Sequence, residues 1–226
     1  MPESPFTNDS AGSAFLVAPP GGGEGPGVLL LHSWWGLDDW TRDFARRIAG
    51  EGYTVLAPDL FAGETPDTAD AAEQLLAERD ANEMAGLVLS SAHTTRAASA
   101  DADRPIAVVG LSMGGSMALW LAARLPAHVG AVVSFYGSQS IDFDDAAARF
   151  QGHFGDADHM VSEEDRVTTE AFIRIGECDT DFHLYPGVGH WFMEDRPGHG
   201  GYDEAAAAKA WDRMRAFLLA ELPPTG

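Results

Sequence analysis

Short, continuous apolar runs alternate along this chain with longer stretches in which apolar residues recur every three or four positions. The runs are GVLLLH at 27–32, YTVLA at 53–57, PIAVVGL at 105–111, VGAVVSFY at 129–136, FQGHFG at 150–155 and DFHLY at 181–185. Unbroken apolarity over so few residues is the mark of strands covered on both faces, as parallel strands are. Residues 14–17 predict a further strand at a sheet edge, followed by the flexible PPGGGEGPG. Helical patterns fill the gaps. Asp38 and Asp39 offer N-caps to a helix with Trp40, Phe44 and Ile48 on one face, and Gly50 and Gly52 end it. Residues 67–100 are alanine-rich and read as helix in two pieces, broken around 80–82. Residues 114–125 bring Met117, Trp120, Leu121 and Leu125 together, and a last helix carries Trp211, Met214 and Leu218. Strand–helix alternation predicts the α/β class: one domain over 1–226, its mostly parallel sheet of about seven to eight strands flanked by helices on both faces. Residues 1–12 are expected to be a loosely ordered N-terminal segment.

The run at 105–111 ends in GLSMGGS, and a helix pattern begins immediately after it. Gly-x-Ser-x-Gly alone is weak evidence in a chain with 25 glycines. Between a buried strand and a helix it becomes a mechanical device, because the sharp turn forces Ser112 into strained backbone and its neighbours two residues away must lack bulk. Gly110 and Gly114 meet that need. The hydroxyl then projects at the carboxyl end of the sheet, where the helix N-terminus favours negative charge. A serine that merely caps the helix is the plainer alternative.

A serine hydroxyl needs a base to take its proton. Chains with this elbow carry the acid and then the histidine farther along. Of the later histidines, His183 alternates within a strand and His199 lies in a separate loop. His190, in YPGVGHWF, follows a strand and a glycine-rich turn, where a loop can swing it over the strand ends. The acid comes from HFGDADHMV, which offers both Asp156 and Asp158. His153 and His159 lack an established metal-ligand spacing, so no metal and no cofactor is expected. An oxyanion hole needs two backbone N–H groups. Met113, the residue after the serine, offers one, and the 33–36 loop offers the other.

Charge narrows the partners. With 35 acidic against 14 basic residues the formal charge is −21, which disfavours nucleic acid and anionic membrane surfaces. The polar N-terminus lacks a signal-peptide plan, and no apolar run is long enough to span a bilayer. A single cysteine, Cys178, excludes an intrachain disulfide and fits a cytoplasmic location. Monomer and homodimer both remain open.

Taken together, LLLHSWWGLDDWTRDFARRIAGEGYTVLAPDLFAG, GLSMGG, HFGDADHMV and LYPGVGHWF resemble, in order and spacing, the blocks of the dienelactone hydrolase family of α/β-hydrolases. The resemblance covers roughly residues 25–220. It implies an α/β-hydrolase fold, a triad of Ser112, Asp158 and His190, and oxyanion N–H groups from Trp34 and Met113. Well-known members use cysteine as nucleophile, accompanied by a loop glutamate; Ser112 and Ser33 stand at those positions here. A glutamate tuned to a thiol has less purpose beside a hydroxyl.

The reaction implied is acyl transfer on a small-molecule ester or lactone. A general carboxylesterase or thioesterase is the alternative within enzymes. A non-catalytic binding protein on the same fold is the alternative outside them, although such chains usually lose a triad member. Trp34, Trp35, Phe61, Tyr136, Trp191 and Phe192 offer an apolar wall to the substrate. Family members hold a substrate carboxylate with arginines, one of them four residues past the histidine. That position is Glu194 here, which predicts repulsion of carboxylates and a preference for neutral esters, with Arg79 and Arg196 as possible compensating clamps.

Overall fold

The computed structural model describes residues 5–7 and 13–224, the first of these as backbone only. Eight strands form one sheet in the order β1-β2-β4-β3-β5-β6-β7-β8. They are β1 (Pro5–Thr7), β2 (Ser13–Val17), β3 (Gly27–Leu31), β4 (Thr54–Pro58), β5 (Ile106–Leu111), β6 (Val129–Phe135), β7 (Arg149–Gly155) and β8 (Thr180–Tyr185). Only β1 and β2 run antiparallel to their neighbours; every pairing from β4 through β8 is parallel. Within the segment expected to be loosely ordered, Pro5–Thr7 pairs with β2. The remainder, 1–4 and 8–12, lies outside the described residues.

Among the described residues six helices accompany the strands, five between them and one after the last: α1 (Asp39–Ala49), α2 (Ala69–Glu78), α3 (Ala81–Ala97), α4 (Met113–Arg124), α5 (Glu163–Ile175) and α6 (Glu204–Glu221). Asp38 caps α1 and Asp80 caps α3, each accepting from backbone N–H groups of the first turn. Asp80 thus accounts for the break in the alanine-rich stretch. The apolar pattern alone leaves out α5. Its signal is instead polar: Ser162 and Asp165 form a reciprocal capping box that starts the helix.

Side chains alternate across the sheet into two cores. Val28, Leu30, Val109 and Phe135 face α1 and α6, where they meet Phe44, Ile48, Trp211 and Met214. Leu29, Leu31 and Val108 face the other way, toward Val88 of α3, Leu121 of α4 and Ile173 of α5. β3 and β5 are buried along their whole lengths. The loops that leave the carboxyl edge of β3, β5, β7 and β8 therefore meet over a frame whose centre is rigid, which is what a site assembled from four loops requires. No helix among the described residues is long and apolar enough to cross a membrane.

Candidate active site

Ser112 stands between β5 and α4 with φ 52° and ψ −117°, a conformation an L-residue adopts only when its surroundings impose it. Two glycines make the turn possible. A Cβ on Gly110 would lie 2.1 Å from the carbonyl oxygen of Gly114, and one on Gly114 would lie 2.2 Å from that of Leu31. The elbow thus closes on itself and against the end of β3, bringing the 33–36 loop beside the serine.

Ser112 is only 8% exposed. Its Oγ is 2.8 Å from Nε2 of His190, and Nδ1 of that ring is 2.6 Å from Oδ2 of Asp158. An ionised carboxylate only accepts, so the Nδ1 proton is donated to Asp158 and Nε2 is left to accept from the hydroxyl. Oδ1 of Asp158 accepts from the backbone N–H groups of Met160 and Val161. Burial works to raise the Asp158 pKa, but the hydrogen bond and charge of His190 and these two N–H groups outweigh it and hold it below the usual carboxylate range. The two aspartates left open by the residue pattern part company here. Asp156 is exposed and accepts from the Gly187 N–H in the turn that leads to His190.

Met113 opens α4, and the first N–H groups of a helix have no partner within it. The loop on the other side is held by a residue that the sequence pattern did not single out. His32, fully buried at the end of β3, accepts from the Leu60 N–H through Nε2 at 3.0 Å. Its proton is therefore on Nδ1, which donates to the Ser33 carbonyl at 2.6 Å. Burial lowers the His32 pKa to about 4, so the ring stays neutral in this role. The Ser33 oxygen also accepts from the Gly36 N–H. Because the Ser33 carbonyl and the Trp34 N–H belong to one planar trans peptide, holding the oxygen limits the directions the N–H can take, without fixing the rotation of the peptide about that anchor. A histidine ending a buried strand was the available signal for this function.

The remaining candidates divide into wall, core and brace. Trp34 is half-buried and stacks on Trp191 at 5.3 Å, while Trp191, at φ 59°, lies edge-on to His190. Trp35 and Phe192 are packed into the core shared with α1 and α6, and Phe61 into the other core, so these three are structural rather than open wall. Arg79 donates to the Phe61 carbonyl at 2.6 Å. His153 is occupied by Tyr185 and Gln151. Among the described residues no group of three His, Cys, Asp or Glu side chains has the geometry to hold a metal.

Glu194 departs most from expectation. It is 1% exposed, and its carboxyl accepts from Ser33 Oγ at 2.8 Å, Tyr136 Oη at 2.7 Å and Arg196 Nε at 2.9 Å. Arg196 is also buried, paired with Asp38, bonded to Thr41 Oγ1 and placed 4.8 Å from the Trp40 ring centre. Repulsion of a substrate carboxylate by Glu194 is therefore corrected: the side chain is turned into the protein, and Arg196 neutralises it. Nor does Arg196 have a free guanidinium to clamp substrate. Burial pushes Glu194 up to about 7 against the opposing pull of the Tyr136 and Ser33 hydrogen bonds, and pushes Arg196 down to about 9. Burial and then the neighbouring Glu194 carboxyl push Tyr136 well above its ordinary value.

The sheet order, the serine elbow and the histidine loop after β8 define an α/β-hydrolase. The sequence profile of the Dienelactone hydrolase family matches residues 13–222, and the chain belongs to that family. A Salmonella typhimurium (strain LT2) protein named "Putative carboxymethylenebutenolidase" is 31% identical over 208 residues, covering 84% of this chain and 75% of its own length. Among solved structures, "m3DLH" is 29% identical with a TM-score of 0.80, each chain covered to 98%. A thermophilic esterase from Thermogutta terrifontis, 15% identical, shares the fold with a TM-score of 0.68 over 95% of this chain and 92% of its own.

Proposed function

We propose that this protein is a serine hydrolase that cleaves ester or lactone bonds of small, neutral substrates through an acyl-enzyme. The observation that carries the reading is the buried line from Ser112 through His190 to Asp158, with contacts of 2.8 and 2.6 Å. In it, Nε2 of His190 takes the Ser112 proton as Oγ forms a bond to the substrate carbonyl carbon. The electron pair displaced onto the carbonyl oxygen is met by the N–H groups of Trp34 and Met113. Collapse of the tetrahedral intermediate breaks the bond to the leaving alkoxide, which receives the proton from His190. Water then repeats the sequence: its proton goes to His190, its oxygen bonds the acyl carbon, and as the bond to Ser112 Oγ breaks His190 returns the proton to that oxygen, releasing the acid. Asp158 holds the imidazole in the required tautomer throughout. No cofactor enters these steps.

The preference for neutral substrates rests on the wall rather than on repulsion. Trp191 lies edge-on to His190 with Trp34 stacked on it, and the position where a guanidinium is expected holds the inward-turned Glu194. The test is kcat/KM for p-nitrophenyl acetate against a dienelactone carboxylate at one pH and moderate salt. The acetate is expected to be the better substrate. A clear preference for the dienelactone would overturn the assignment and point to Arg79 as the clamp.

A further inference from the structure

Three features meet at Glu194 that a mere filler of the core would not need. A carboxyl buried this deeply is costly unless every oxygen is satisfied, and an apolar side chain in its place avoids the cost altogether. Its partners come from three separate loops. Ser33, which directly precedes Trp34, bonds Oε2; Tyr136, at the end of β6, bonds Oε1; Arg196 bonds Oε2 as well and carries the link on to Asp38, the N-cap of α1. Tyr136 in turn lays its ring 4.7 Å from that of His190, and holds φ 42°, a strained conformation that must be imposed from outside. Glu194 itself is four residues from His190 along the same loop. The carboxyl thus touches both Ser33, which precedes Trp34, and Tyr136, whose ring lies tilted against the imidazole.

We propose that Glu194 is a positioning residue of the hydrolytic site, its carboxyl tying the loop that presents the Trp34 N–H to the loop that presents His190. The proposal rests on the serine-hydrolase reading above. His32 and the Gly36 N–H hold the Ser33 carbonyl; Glu194 holds the Ser33 side chain, so the residue that aims the Trp34 peptide is anchored at two points, the oxygen and the Cβ side of its Cα. With the Ser33 arm cut, the carbonyl bonds remain, but the Cα of Ser33 is free to turn and the Trp34 N–H to drift. The transition state suffers more than the bound substrate, because only there has the oxyanion formed.

Ser33→Ala is the decisive variant, since it removes a single oxygen and leaves both buried charges paired. Steady-state kinetics with p-nitrophenyl acetate, inhibition by an aryl trifluoromethyl ketone and thermal melting are measured on it and on the wild type. The ketone adds to a nucleophilic serine as an oxyanion adduct, so its affinity reads the oxyanion site directly. Loss of a whole oxyanion donor costs about 10²–10³-fold, so loosening one is expected to lower kcat about ten-fold. The ketone should weaken by a similar factor while KM stays within about two-fold. Tyr136→Phe, which keeps the ring on His190, should show a smaller loss of the same kind. A folded Ser33→Ala protein with kcat and ketone affinity both within two-fold of wild type would overturn the proposal, as would a rise in KM alone. Failure of the underlying reading looks different: Ser112→Ala would then hydrolyse the ester as fast as the wild type.

Discussion

Asp158 bonds His190 directly and Glu194 reaches it through Tyr136; both carboxylates carry three hydrogen bonds, and their acidities are driven in opposite directions. Asp158 is held below the usual range, whereas Glu194 rises to about 7. The count of hydrogen bonds does not distinguish them. The kind of donor does. Both side chains are withdrawn from solvent, but Asp158 sits in a loop whose other residues, Asp156, Ala157, His159 and Met160, are exposed, and two of its donors are backbone N–H groups. Glu194 follows the buried stretch Trp191–Met193 and has only side-chain donors, two of them neutral hydroxyls. In the proposed mechanism one carboxylate is kept charged where a positive imidazole must form. The proposed role of the other is a brace, and for that the shape of the network matters more than a full charge.

The widest separation between the two regions is expected from amide substitutions. Asp158→Asn keeps the shape but favours the wrong imidazole tautomer, and the equivalent change in a serine protease triad lowers kcat by a factor on the order of 10⁴. Asp156→Asn, which touches only the Gly187 N–H, should cost less than about ten-fold. Esterase kinetics on the two variants check this, and the reverse ranking would move the acid to Asp156.

A smaller effect separates the two carboxyls by pH. Glu194 rises from 4.5 to about 7 on folding, so between those values the native state holds a proton that the unfolded chain has released. Its contribution to stability is therefore largest near the acid end of the window and falls as pH rises through about 7, by at most about 1.4 kcal/mol per pH unit. Glu194→Gln should flatten that part of the stability curve measured by urea unfolding from pH 5 to 8. Asp158 acts with the opposite sign: its depressed pKa contributes stability above the ordinary carboxyl range that is lost in acid. An unchanged slope in Glu194→Gln would mean that the carboxyl titrates alike in both states.

What the sequence disclosed follows the range of each interaction. The elbow was legible because Gly110, Ser112 and Gly114 constrain one another within five residues. The order of strands β2 to β8 was legible from short apolar runs, whereas α5 was not, because what starts it is the polar capping box of Ser162 and Asp165. The choice between Asp156 and Asp158 was not legible from the residues alone, because it depends on which one faces a loop about 30 residues away. Glu194 was misread for the same reason: its Ser33 partner is 161 residues distant and its Tyr136 partner 58. His32 read only as the last residue of a strand: a histidine at that place was a signal, but its Leu60 partner lies 28 residues away.

The central claim is that Ser112 is the nucleophile, activated by His190. The most direct measurement is mass spectrometry of the folded protein after a fluorophosphonate probe, with the modified peptide sequenced. One adduct per chain, on Ser112, lost in His190→Ala and in unfolded protein, is the predicted result. Persistent ester hydrolysis with Ser112 unmodified, or an adduct on another residue, would contradict the account.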